Sequence, residues 1–166
     1  MLGRYDNFPE KIHRIATFTF STPARKIQEK LVQALHEMNT NTVTPSEVDQ
    51  HALRECAIVL ETGIAESRSF SFLDETEVSR LQESLKKEPF RVIDFFFAAR
   101  YYKIKEEKKT PLRFDYFLVR AAFLESILEM RIFHERGPRY ISPEDVGNLV
   151  VERVNRASGR RVFRSS

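Results

Sequence analysis

One stretch of this 166-residue chain sets an ionisable base, an acid and two guanidiniums side by side: His134-Glu135-Arg136-Gly137-Pro138-Arg139-Tyr140. Histidine titrates near neutrality, and arginine holds carboxylates or phosphates through paired N–H donors. The stretch runs into Ser142-Pro143, a helix start whose unpaired N–H groups favour anions. As chemistry this is an anion or proton-transfer site, with His134 moving the proton and Arg136 or Arg139 holding the substrate. Strand alternation places His134 and Arg136 on one face and Glu135 on the other. The plainer reading of the same residues is a charged connection stopped by Gly-Pro.

A second pattern interleaves cations with rings: Arg91, Arg100, Tyr101, Tyr102, Lys103, Lys105, Arg113, Tyr116 and Arg120. Cations neutralise phosphates and aromatic faces stack on bases, so this pairing is suited to single-stranded nucleic acid. Charge is divided unevenly along the chain. Residues 1–83 carry a balance of −4 and residues 84–166 one of +7, with no acid after Glu152. Arg100, Lys103, Arg113, Arg156, Arg160 and Arg161 are therefore the candidate nucleic-acid contacts. Asp94, Glu106, Glu107 and Asp115 interrupt the pattern, and a net charge of +3 is small for such a role.

Other chemistries are poorly served. Five scattered glycines form neither a P-loop nor a G-x-G-x-x-G turn. His13, His36, His51 and the single Cys56 lack zinc-ligand spacing, and Cys56 within CAIVL reads as a small interior side chain rather than a nucleophile. Glu61, Glu66 and Arg68 around Gly63 read as a solvated loop. No cofactor or metal is expected. One cysteine makes no internal disulfide, no signal-like apolar run opens the chain, and the longest apolar runs fall short of the ~20 residues that span a bilayer, so a soluble cytoplasmic protein without membrane contact is expected.

The elements that must position these residues follow from periodicity. Lys11 to Phe20 alternates as a strand; Thr22-Pro23 opens a helix carrying Ile27, Leu31, Leu35 and Met38; Thr44-Pro45-Ser46-Glu47 starts a short helix to about Arg54. Cys56 to Leu60 and Ser69 to Leu73 read as strands joined by a loop around Gly63, and Asp74 caps a helix that closes before Pro89. Phe90 to Ile104 is apolar on both faces. A polar turn at EEKKTP leads to the strand LRFDYFLVRAAFL, then to ILEMRIFHE, and Ser142 starts a last helix ended by Gly159. The order β-α-α-β-β-α-β-β-β-α predicts one α+β domain, an antiparallel-dominated sheet of about six strands with three to four helices packed on it, over residues 1–156. Residues 157–166 are expected to form a flexible Arg-rich tail.

A strand apolar on both faces needs cover on both sides, by helices, a sheet or a second copy. The sequence thus points first to a non-enzymatic assembly module forming a homo-oligomer. Nucleic-acid binding through the basic second half, and a small enzyme with its site at His134 to Arg139, are the alternatives.

Overall fold

A computed structural model describes residues 1–39, 42–43, 56–105 and 108–165. Its strands are β1 (Arg14–Thr19), β2 (Thr42–Val43), β3 (Cys56–Glu66), β4 (Ser69–Phe72), β5 (Val92–Lys105), β6 (Lys108–Leu124), β7 (Ile127–Arg136) and β8 (Arg164–Ser165). They form one antiparallel sheet in the order β2-β3-β5-β6-β7-β1-β8, with β4 paired to β3. The helices α1 (Ala24–Met38), α2 (Glu75–Lys87) and α3 (Pro143–Ser158) cover one face, α1 lying between the other two. The expected α+β fold is this one. The short helix read at Glu47 to Arg54 falls outside the described residues. Among the described residues no helix is long and apolar enough to cross a membrane.

Local sequence accounts for the ends of the helices. Asp74 accepts from the Glu77 N–H at 2.9 Å, and Ser142 and Asp145 cap each other's backbone at 3.1 Å. Gly159 closes α3 at φ 70°. Along β5 the alternation divides the apolar residues between two different covers. Ile93, Phe95, Phe97, Ala99 and Tyr101 point under the helices, where Phe117, Val119 and Ala121 of β6 join them, all nearly or fully buried. Phe96 and Ala98 face the other side, where residues 1–13 lie across the sheet. From Ile93 to Tyr101 the apolar residues of both faces are thus covered within the chain.

Three expectations are corrected. The loop around Gly63 does not exist: β3 runs unbroken to Glu66, and the chain turns at Ser67 and Arg68. Gly63 is there because the Phe96 ring lies on it; a Cβ would overlap Phe96 Cε1 and come within 2.8 Å of the Ser71 carbonyl oxygen. Nor is the C-terminus a loose tail. Val162 and Phe163 are buried, Phe163 sits 5.9 Å from the Phe20 ring, and β8 pairs with Phe18 and Thr19 of β1. The Asn155 side chain receives the Val162 and Phe163 N–H groups at 2.8 and 2.9 Å, so the turn after α3 keeps its donors satisfied. Two apolar residues and one amide hold a segment whose arginines suggest solvation. Finally, polar residues at EEKKTP belong largely to the strand, because β6 already begins at Lys108.

Candidate functional site

The histidine at the centre of the enzyme reading lies in the interior. The His134 side chain is 8% exposed, its ring 5.0 Å from that of Phe117, and its Nε2–H donates to Asp115 Oδ1 at 2.8 Å. Asp115 is fully buried and also receives the Tyr101 hydroxyl at 2.6 Å, the Arg139 N–H at 2.6 Å and the Tyr140 N–H at 2.8 Å. Four donors on one carboxylate compensate its removal from water. Burial, followed by the Asp115 carboxylate, raises the Tyr101 phenol far above its ordinary range, so it stays a donor.

The loop after β7 wraps this carboxylate. Gly137 adopts φ 114°, and a Cβ there would overlap the Phe114 carbonyl oxygen and fall 2.5 Å from Asp115 Oδ1. Arg139 takes φ 60° while offering its N–H to Asp115. His13 closes the far side: its Nδ1 accepts the His134 backbone N–H at 2.9 Å, and its ring stacks on Phe133. Desolvation, then the charges of Arg139, Lys11 and His134, hold the His13 pKa below its ordinary value. The group is a buried hydrogen-bonded hub, with the His134 ring turned into it rather than toward solvent.

Arg136 is not beside His134 either. The β6–β7 register slips between Tyr116 and Phe117, which pair with Arg136 and His134. This bulge breaks the alternation, so Glu135 and Arg136 both reach the helix-free face. There Arg136 lies 5.4 Å from the ring centres of Phe114 and Tyr116. Arg100, held by Glu61 at 2.7 Å, lies 5.6 Å from the Phe114 ring. Phe114 is 36% exposed between two guanidiniums. Leu112, Arg113, Gly137 and Pro138 complete a shallow depression around it.

The six basic candidates do not share a surface. Arg100, Lys103 and Arg113 belong to the end of the sheet where β5 passes into β6. Arg156, Arg160 and Arg161 lie at the opposite end, where β8 meets the close of β1 and Thr19 faces Ile127. Along β6 the two ends are about 36 Å apart, at ~3.3 Å per residue from Arg113 to Leu124. At that far end Arg156 pairs with Glu152 at 3.2 Å and Arg160 donates to Thr22 Oγ1 at 3.1 Å.

A second buried carboxylate, missed on reading the sequence, organises the helix-free face. Asp94 is fully buried and receives Arg120 Nε and Nη2 at 2.8 Å each and the Tyr5 N–H at 2.7 Å. Arg120 also donates to the Tyr5 carbonyl at 3.2 Å and lies 4.5 Å from the Phe8 ring. The signal was there: Asp94 in VIDFFF and Asp115 in FDYFLV are lone charges inside two-sided apolar strands. Among the described residues no three of His, Cys, Asp and Glu converge as metal ligands, and His51 lies outside them. No family model matches this chain, and no curated protein or solved structure matches it either.

Proposed function

We propose that this chain is a non-enzymatic binding module for single-stranded nucleic acid, engaged at the Arg100, Phe114 and Arg136 corner of the helix-free face. The observation that carries the reading is Phe114 itself, an exposed ring with a guanidinium on either side. A base stacks on such a ring by displacing one guanidinium from it, and the displaced arginine takes a flanking phosphate. Exposed Arg113 and Lys103 add charge at the same end of the sheet.

Self-assembly draws less support from the geometry. Exposed apolar side chains fall in separate places: Leu124 and Ile127 pair at one hairpin, Ile15 faces Arg131, Phe72 lies on β4, and Leu112 lies beside Phe114. A stable dimer buries about 1,200–2,000 Å² around a contiguous apolar centre. The β6 edge that runs beyond β7 carries Pro111 and the exposed Lys108, residues that discourage strand addition.

Fluorescence anisotropy of a labelled single strand of about ten nucleotides tests the reading. Binding is expected at about 50 mM salt, falling by an order of magnitude or more at about 200 mM. Phe114→Ala weakens it about tenfold, whereas Arg161→Ala at the far end leaves it unchanged. No binding at low salt, or indifference to Phe114→Ala, overturns the reading.

A further inference from the structure

Beside the Phe114 corner, residues 1–13 and the sheet border an open cleft of about 330 Å³ whose lining includes Tyr5, Phe70, Tyr116 and Phe133. Its size and ring-faced walls fit a planar guest the size of a nucleobase. The rings are already ordered: Tyr5 lies 4.7 Å from Phe70, Phe70 5.8 Å from Phe96, and Phe96 is stacked on Tyr116 at 5.4 Å. Its polar rim is Asn7, Glu135 and Arg136.

Glu135 is the informative member. Among the residues lining the cleft it is the only carboxylate, and like the surface residues Glu10, Glu29, Glu75, Glu88 and Glu125 it has no ion-pair or hydrogen-bond partner among the described residues. It stands close to the guest's position: burial and then the Glu135 charge push the Tyr116 phenol up to about 12. An ionised carboxylate only accepts. Of the four RNA bases, guanine alone presents two adjacent donors, N1–H and the N2 amino group, to one carboxylate. Adenine and cytosine set an acceptor beside their donor, and uracil has a single N–H between two carbonyls.

We infer that this cleft takes an unpaired guanine, its donor edge on Glu135 and its phosphate on Arg136. The inference rests on the single-strand reading above but adds a base preference that stacking on Phe114 would not produce. Labelled uridine tracts with one central guanine, adenine or inosine provide the test, alongside guanosine 5′-monophosphate titrated against the ring resonances of Tyr116 and Phe133. The guanine strand is expected to bind about tenfold tighter than the adenine strand, the scale of one bidentate base contact. Inosine, lacking the N2 amino group, should fall between them. Glu135→Gln, at an exposed position, should abolish the preference while leaving uridine-tract binding intact. Strand binding with no guanine preference, or a preference that survives Glu135→Gln, overturns the inference and leaves the single-strand reading standing. Mononucleotide binding without strand binding overturns that reading and retains the pocket. Binding of neither overturns both.

Discussion

Asp94 and Asp115 sit on neighbouring strands of one sheet, both fully buried, on opposite faces. Asp115, beneath the helices, is compensated by a phenol, an imidazole and two backbone N–H groups. Asp94, under the N-terminal segment, is compensated by a guanidinium that water still reaches and by one backbone N–H. Fixed dipoles and a mobile counter-charge solve the same desolvation problem with different consequences. Dipoles of the main chain cannot be removed by substitution, so the Asp115 site ties a loop to the core. A side-chain counter-ion can be exchanged, so the Asp94 site is a latch.

The largest expected effect follows from that difference. Asp115→Ala leaves two buried and two part-buried donors unsatisfied, at about 1–3 kcal/mol for each buried one, and should remove about 4 kcal/mol or more in urea unfolding. That is much of an ordinary domain's stability of about 5–15 kcal/mol. A loss below about 1 kcal/mol would show that the donors find water and that the hub is not structural.

Asp94→Ala should cost less, about 2–3 kcal/mol. The stranded Arg120 side chain is 20% exposed and can be rehydrated. Amide exchange should rise first over residues 3–8, which the pair holds down. Replacing both partners, Asp94→Leu with Arg120→Met, should recover at least half the loss. No apolar replacement of Asp115 should do the same, and equal rescue at both sites would erase the distinction.

The smallest effect is a pH dependence carried by His13, which touches the Asp115 side through His134 and faces Arg139 and Lys11. Its folded pKa lies below its unfolded value, so the unfolded chain binds the extra proton. Its contribution is therefore present above the unfolded pKa of about 6.5 and declines as pH falls through and below that value. Melting temperature from pH 7.5 to 5.5 should drop in the native protein and less steeply in His13→Gln. Equal slopes would mean His13 is not the titrating group.

The caps of α2 and α3 and the alternation of β5 were legible because they depend on residues near in sequence, whereas Thr22 makes no cap for α1, whose N-cap position is Pro23. Asp74, Ser142 and Gly159 each act within one turn of the helix they bound. The His134 site was misread for two reasons that lie outside local pattern. Alternation separates two faces but does not say which one the helices cover, and the slip opposite Tyr116 reverses Arg136 without any Gly or Pro in the strand to announce it. Gly63 misled in the opposite sense: a glycine that reads as a turn is there to admit Phe96, a residue more than thirty positions away. The lone aspartates were legible as anomalies, but their partners, Tyr5, Arg120, His134 and the 139–140 amides, come together only through the sheet.

The position of β1 also bears on how the chain folds. β1 stands between β7 and β8, so its partners arrive only after more than a hundred further residues have been made. At synthesis rates of about 5–20 residues per second, Arg14–Thr19 waits roughly 6–20 s without a neighbour. The β5-β6-β7 meander, joined by short connections, can pair while the interval to β1 remains open. Refolding should accordingly show the meander's amides protected early and those of β1 last, with closure of the sheet by its first strand as the slow, non-local step.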